Sequence, residues 1–216
     1  MTGHETKAVA MQTSGTRNSV VIILAVAALV AISFVAYKYL HKEPPQNKPD
    51  LTYNFFEFKK IEGMWHTKWQ RDGQLYDVSL RYNPLDVEKV PVSGGMNETF
   101  LRQPFYLTFD PDSNSSNSPN NTDFKYLALA FSELGLNLAR GLGHQVVTAC
   151  TKNLSEACAG HPIVTCDDDD KAVFYLRIME KPRVTLDGNC LIIEGKELDL
   201  IKATDRVLYH FYGIMP

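Results

Sequence analysis

The chain has 216 residues, which is enough for one folded domain with a targeting segment but leaves no room for a second full core. Hydrophobic residues make up 44% and charged residues 22% of the sequence, a composition that excludes global disorder. There are 22 Lys and Arg against 25 Asp and Glu, so the net charge of −3 lacks the basic surplus that nucleic-acid binding requires, and no nucleic-acid partner is expected.

The N-terminal quarter contains the strongest local signal. The run from Val20 to Tyr37 carries no charge and is about long enough, at ~1.5 Å per residue, to cross most of a bilayer core. Two interpretations stay open: a retained signal anchor, or a signal peptide cut near Ala31-Ile32-Ser33. The predicted divisions are a disordered tail (1–18), a signal-anchor or signal-peptide helix (19–37), a Pro-rich connector (38–50) and an ectodomain (51–216).

The signals for orientation conflict. More lysines follow the apolar run than basic residues precede it, and the positive-inside rule then places the C-terminal part in the cytoplasm. Four glycosylation sequons and an even number of cysteines beyond the run favour export instead, and we give them more weight. We predict an extracellular domain, either secreted or single-pass type II. Its modified residues would be Asn97, Asn114, Asn120 and Asn153, and its disulfides would join Cys150, Cys158, Cys166 and Cys190 in one of three open pairings.

Most of the ectodomain shows period-two hydrophobicity, which is typical of strands with one wet face. Apolar and polar side chains alternate from Gln74 to Tyr82. Asp187-Gly188 between two apolar segments predicts a hairpin. The stretch 132–142 fits a short helix or a glycine-loosened loop. Further strands are predicted within 63–69, 101–109, 123–131, 145–151 and 172–179.

The end of the chain has helical periodicity. Apolar residues recur at helical spacing from Leu198 to Phe211, and Asp199, Lys202, Asp205 and Arg206 fall on the predicted wet side. About seven or eight short antiparallel strands followed by one C-terminal helix predict an all-β barrel or sandwich. A parallel sheet with helices on both faces is disfavoured.

Short motifs at strand entrances resemble those of the lipocalin family. Gly63-Met64-Trp65 resembles the family's first signature, a Gly-x-Trp, and Thr122-Asp123-Phe124 resembles the second. The arginine that packs over the tryptophan in that family corresponds to Arg177 or Arg183. The presence of several cysteines and glycosylation sequons is most similar to diverged arthropod members of the lipocalin family. The resemblance covers nearly all of 51–216 and implies a closed antiparallel β-barrel.

A small barrel can enclose one ligand within apolar walls. This predicts a protein that sequesters a small hydrophobic or amphipathic molecule, such as a lipid or a biogenic amine. A membrane-tethered form would keep its N-terminal helix. The alternative is a cell-surface β-rich domain with a filled core that binds another protein, because cavity and core share one periodicity. The predicted ligand contacts are Trp69, Tyr76, Val78, Leu80, Phe105, Leu107 and Phe109, with the phenol of Tyr175 as a polar contact.

Motifs for catalysis are absent from the sequence. It contains no His-Glu-x-x-His, no Gly-x-Ser-x-Gly and no phosphate-binding glycine loop, so we expect no enzyme activity and no cofactor. The group Cys150, Cys158, His161 and Cys166 matches no familiar zinc module, and disulfides are favoured over a metal. The acidic run 167–170 lacks the spaced donors of a calcium loop and indicates an exposed turn.

Overall fold

The computed structural model describes residues 15–40, 48–111, 122–154 and 156–216. The chain divides into two compact units, residues 1–48 and 49–216. Most of the predicted tail and connector lie outside the described residues. The first unit contains α1 (Gly15–Leu40), which confirms a helix at the apolar run. Within the described residues, however, no helix is both long and apolar enough to traverse a bilayer, which contradicts the predicted membrane-spanning segment.

The second unit begins with a four-stranded antiparallel sheet whose strands pair in chain order. Tight turns join its strands. Gly63 and Gly73 occupy two of these turns with φ of 87° and 80°, a conformation that residues with a Cβ atom avoid. The predicted strands near 63–69 and 74–82 are confirmed, and two preceding strands were missed. The strands are β1 (Leu51–Tyr53), β2 (Phe56–Ile61), β3 (Met64–Arg71) and β4 (Gln74–Leu80).

A larger, six-stranded sheet has the order β5-β9-β10-β8-β6-β7. Its strands are β5 (Val92–Met96), β6 (Phe105–Phe109), β7 (Val146–Cys150), β8 (Ala172–Ile178), β9 (Arg183–Gly188) and β10 (Cys190–Gly195). Four of its five pairings are parallel. The exception is β9 with β10, the antiparallel hairpin that Asp187-Gly188 predicts. The sheet is therefore mixed and mostly parallel.

Helix α3 (Thr122–Leu136) replaces the strand predicted at 123–131. Its buried residues Leu127, Ala130 and Leu134 are spaced three and four apart, which is the helical period. Alanine and leucine in this stretch also favour a helix. One π-helical turn, Asn137–Gly141, extends it, so the undecided stretch 132–142 is helical. A further short helix, α2 (Pro84–Val87), begins at the capping residue Asn83.

The last helix, α4 (Leu198–Phe211), is confirmed, but two of the four residues predicted on its solvent side are buried. It packs on β10 and β9 of the larger sheet. Its other side meets the smaller sheet, where the rings of Phe58 and Tyr209 lie 5.9 Å apart. Because α4 has a sheet on either side, Asp205 and Arg206 are buried rather than solvated.

The predicted all-β barrel is therefore wrong. The described residues form two separate sheets and four α-helices, and the larger sheet is open, with β5 and β7 as its edge strands. A half-buried strand in an open sheet shows the same alternation of apolar and polar residues as a strand in a closed barrel. Periodicity alone therefore could not distinguish the two folds.

The residues that resembled lipocalin motifs have other roles here. Gly63 lies in a hairpin turn, and Lys60 Nζ lies 5.5 Å from the ring of Trp65 on β3. Thr122-Asp123-Phe124 begins a helix instead of a strand. Arg177 and Arg183 both bind the carboxylate of Glu194, as ion pairs across neighbouring strands. The structural assignments made from the resemblance are thus corrected.

Candidate functional site

A cleft of about 210 Å³ lies between α4 and one end of the larger sheet. Helix α4 packs mainly on β10, so it leaves the neighbouring face of β9 and β5 less covered. The strand register places Val92 beside Val184 and Leu186 beside Leu191 on that face. The cleft is lined by Val92, Val184, Leu186, Leu191, Arg206, Val207, His210 and Pro216.

Arg206 is the buried cation in this otherwise apolar wall. Its side chain projects from α4, and the residue is only 8% exposed. Nη2 donates a hydrogen bond of 2.7 Å to the main-chain oxygen of Pro216, whereas Nε is buried and has no partner among the described residues. Burial lowers the pKa of the guanidinium, and the nearby Tyr53 and Glu88 only oppose this effect. The guanidinium therefore has one hydrogen bond, to Pro216, and a buried Nε that lacks a partner among the described residues.

The chemistry of the cleft suits an amphipathic molecule. Valine and leucine side chains from three strands can remove an apolar tail from water. The unpartnered Nε of Arg206 is itself buried, so the lining that a molecule in the cleft would meet is mainly apolar. His210, the other titratable residue of the wall, lies exposed in the last turn of α4. Of the eight lining residues, none has a carboxylate, thiol or hydroxyl side chain.

None of the eight predicted ligand contacts lines this cleft. Trp69, Tyr76, Val78 and Leu80 lie on the smaller sheet, where Trp69 Nε1 donates to the main-chain oxygen of Tyr212 at 2.9 Å. Phe105, Leu107 and Phe109 belong to β6, and the first two are completely packed. Tyr175 lies on the other face of the larger sheet, 5.9 Å from the guanidinium carbon of Arg177. The set is thus divided between two sheets.

The cleft residues were missed for an identifiable reason. Val184 and Leu186 are two residues apart in the predicted hairpin, so the sequence indicates that their side chains lie on the same face of the strand. Arg206, in contrast, was assigned to a solvated side of its helix. Only the packing of the folded domain, in which Arg206 is 8% exposed and lines the cleft beside the larger sheet, shows that it is buried. No periodicity in the sequence indicates that Val92 lines the same cleft as α4, a helix that begins more than a hundred residues later.

A second buried polar cluster joins α4 to α3 and to the end of β4. Asp205 is fully buried, and its Oδ2 accepts from the main-chain amides of Arg81 at 3.1 Å and Tyr82 at 2.9 Å. Glu133 Oε1 accepts from Arg81 Nε. Asp205 Oδ1 and Glu133 Oε2 are buried and find no hydrogen-bond partner among the residues that the structure describes. Burial raises the pKa of both carboxyls, and the charge of Glu133 further raises that of Asp205.

This cluster makes stability depend on pH. The pKa of Asp205 in the folded protein lies well above its ordinary value of 3.8, so folding takes up a proton. The resulting stabilisation is complete below pH 3.8 and is lost as pH rises through the folded pKa. We expect Asp205→Asn, which keeps an acceptor for the two amides, to make the free energy of unfolding less dependent on pH.

Urea unfolding of both proteins at several pH values between 4 and 8 measures this difference. The stability of Asp205→Asn relative to the unsubstituted protein should increase steadily with pH. Some carboxyls, such as Asp168 and Glu194, have lowered pKa values. Their contributions to the pH dependence of stability are the same in both proteins and cancel in the comparison. Parallel pH profiles would contradict the raised pKa of Asp205.

The disulfide prediction is confirmed, and the pairing is now defined. Cys150 bonds to Cys158, and Cys166 bonds to Cys190. These bonds are compatible with an extracellular or secreted protein. Of the predicted glycosylation sites, Asn97 and Asn153 are exposed, while 114 and 120 lie outside the described residues.

The acidic run 167–170 belongs to a hydrogen-bonded loop. Asp168 accepts from the amide of Thr165 and from Lys171, while Asn189 Nδ2 donates to main-chain oxygens of the same loop. In the part of the chain that the structure covers, no group of three or more His, Cys, Asp and Glu side chains could hold a metal ion. Comparisons with protein-family models, curated proteins and solved structures yield no match for this chain.

Proposed function

We propose that residues 49–216 form an extracellular binding domain that shelters a small amphipathic molecule in the cleft beside α4. One observation carries this proposal. Valine and leucine side chains from the larger sheet and from α4 form most of the cleft wall, and only Arg206 and His210 among its eight lining residues have polar side chains. The two disulfides support the extracellular location.

The size of the cleft sets the affinity expected of such a site. Its volume of about 210 Å³ lies below the ~300–1,000 Å³ of sites that hold drug-sized molecules, so the ligand is small. Burial of about five methylenes contributes about 4 kcal/mol, part of which is offset by the loss of translational and rotational freedom on association, so weak binding is expected. The site therefore suits reversible binding of a molecule present in quantity.

The apolar walls support binding over chemistry. Covalent or acid–base catalysis needs a nucleophile or a pair of titratable groups within hydrogen-bond reach of the reacting atoms. The lining residues supply one exposed histidine and one arginine that is bonded to Pro216. Removal of an apolar tail from water needs none of these groups.

The test is to fill the cleft and measure binding. Leu186 lies partly exposed in the wall, so Leu186→Trp places an indole in the space. Titration of the full chain with 1-hexanol and with hexanoate, followed by NMR of the methyl groups, should show saturable binding. We expect Leu186→Trp to weaken it at least tenfold.

Thr185→Trp is the matched control, because Thr185 adjoins Leu186 on the same strand but faces the other side of the sheet. This variant should bind as the unsubstituted chain does. Circular dichroism and urea unfolding establish that both variants fold. Absence of saturable binding by either probe, or equal binding by Leu186→Trp and the unsubstituted chain, would refute the proposed function.

A further inference from the structure

We propose that the smaller sheet carries an acyl-transfer site in which Ser79 is the nucleophile, His66 is the general base and Asp77 orients His66. The substrate class is a small carboxylic ester, and the reaction is its hydrolysis. The three residues lie on β3 and β4 and none of them lines the cleft beside α4. This activity therefore goes beyond the binding function proposed above and does not depend on it.

The strand register brings the three side chains onto one face of the smaller sheet. His66 on β3 lies directly opposite Ser79 on β4, and Asp77 precedes Ser79 by two residues on the same face of β4. Side chains that are opposite or diagonal across an antiparallel pair are close enough to interact. Thr67 and Val78 point to the other face, where they are buried. The three polar groups thus lie together on the outer side of the sheet.

The two ring nitrogens of His66 have different partners. Nδ1 lies 3.3 Å from Asp77 Oδ2, and Nε2 lies 3.5 Å from Ser79 Oγ. Because an ionised carboxylate can only accept hydrogen bonds, Nδ1 carries the proton and donates it to Asp77. Nε2 then has a lone pair that accepts the hydroxyl proton of Ser79. In this order of atoms, a carboxylate orients a histidine and the histidine activates a serine.

The surroundings of His66 hold this arrangement in place. The side chain of His66 is only 23% exposed, which limits the competition of water for its two contacts. Lys68 Nζ lies 3.6 Å from Asp77 Oδ1, so the lysine and the histidine use different oxygens of one carboxylate. The contact between Ser79 and His66 is long for a hydrogen bond. Contacts between a nucleophile and its base are often loose without substrate and shorten when substrate binds.

The main chain of β4 supplies a donor for the developing oxyanion. Opposite residues of an antiparallel pair alternate between those that exchange main-chain hydrogen bonds and those that do not. Counted from the two-residue turn 72–73, the pair of His66 and Ser79 is one that does not. The N–H of Ser79 therefore points away from β3, and β4 is an edge strand. This N–H can donate to the carbonyl oxygen of an ester attacked by Ser79 Oγ.

Hydrolysis proceeds in two steps. In the first, Ser79 Oγ bonds to the acyl carbon, its proton passes to His66 Nε2, and the leaving alcohol departs with that proton. In the second, water attacks the acyl carbon and gives a proton to Nε2, the bond between the acyl carbon and Oγ breaks, and Ser79 regains its proton. The products are an alcohol and a carboxylic acid.

The position of the site defines the substrate class. The three side chains lie on a sheet face instead of in the cleft, so few protein atoms can contact the substrate. Leu75 lies on the same face as Asp77 and is 66% exposed, which offers apolar contact to a short acyl chain. A small ester with a good leaving group suits this site.

The test uses p-nitrophenyl acetate with the full chain. We expect release of p-nitrophenolate, and mass spectrometry should locate a transient acetyl group on Ser79. Ser79→Ala and His66→Gln should each lower the rate at least about tenfold. Ser93→Ala is the matched control, because Ser93 is an exposed serine on β5 outside the hydrogen bonds that the described histidines form. It should keep the full rate. Urea unfolding verifies that each variant folds.

Asp77→Asn tests the positioning role of the carboxylate. An amide at this position can donate to Nδ1, which favours the imidazole tautomer with its proton on Nε2. We expect acetylation at least about tenfold slower, and NMR of the imidazole nitrogens should show the proton on Nε2. Asp77→Glu restores a carboxylate and should recover part of the rate.

The contradicting results are specific to this site. Acetyl groups on lysines with none on Ser79, or an unchanged rate in Ser79→Ala or His66→Gln, would overturn the acyl-transfer site. An unchanged rate and tautomer in Asp77→Asn would overturn the role of Asp77. None of these results bears on binding in the cleft, which Leu186→Trp tests separately.

Discussion

Replacement of Phe105 by alanine is expected to lower the free energy of unfolding by about 3–5 kcal/mol, one of the two largest effects in this molecule. The residue is 1% exposed on β6 of the larger sheet. Its ring centroid lies 5.3 Å from that of Phe174 and 6.4 Å from that of Phe211 on α4. Removal of the ring leaves a cavity that these neighbours cannot fill. Urea unfolding measures the loss.

The matched control is Leu75→Ala, at an apolar residue that is 66% exposed near the start of β4. It should change stability by no more than about 0.5 kcal/mol. If Phe105 instead lined a ligand cavity, as the barrel interpretation required, its replacement would cost little and would abolish hexanoate binding. That combination would contradict the filled core.

Removal of the Cys166–Cys190 disulfide is the second large effect. The double variant Cys166→Ser with Cys190→Ser should lose about 3–4 kcal/mol, because the bond closes a loop with a sequence separation of 24 residues. The bond ties the loop before β8 to the first residue of β10. Without it, the unfolded chain gains conformational freedom and the acidic loop loses its anchor on the sheet. Urea unfolding under non-reducing conditions measures the difference.

The Cys150–Cys158 bond provides the comparison. Its sequence separation is 8 residues, so Cys150→Ser with Cys158→Ser should cost about 1 kcal/mol less than the other double variant. Peptide mapping of the unreduced protein should recover these two pairs. A different pairing would contradict the structure, and a larger loss from opening the shorter loop would contradict the loop-closure account.

Local periodicity predicted the elements that have one clear pattern. The strand Gln74–Leu80, the hairpin at Asp187-Gly188 and helix Leu198–Phe211 are all present near the expected boundaries. Helix Thr122–Leu136 was missed because its first residues match both periods: Phe124 and Tyr126 alternate with the polar residues Asp123 and Lys125. Only beyond Leu127 does the spacing of buried residues become clearly helical.

Periodicity alone could not predict how these elements are arranged in the two sheets. Strand β8 pairs in parallel with both β10 and β6, and neither neighbour is set by a short turn. The chain passes through α3 and β7 between β6 and β8 and through β9 between β8 and β10, so these pairings depend on packing across the whole domain. A strand that is apolar on one face gives no sign of its neighbour's direction.

The candidate site depends on that arrangement and was missed for the same reason. Arg206 has the sequence context of a residue on a solvated helix face, between Asp205 and Val207. In the folded domain it lines the cleft between α4 and the larger sheet and is only 8% exposed. The pairing of the four cysteines was open in the sequence for an equivalent reason: it follows from which loops meet, and spacing alone does not fix it.

The central claim is that the core of this domain is filled and that its ligand site is the cleft beside α4. Methyl NMR of the full chain titrated with hexanoate tests this claim most directly. We predict progressive, saturable shifts for Val92, Val184, Leu186, Leu191 and Val207, with Val78, Leu80 and Leu107 unaffected. Shifts concentrated at Val78, Leu80 and Leu107, with none in the cleft, would contradict it.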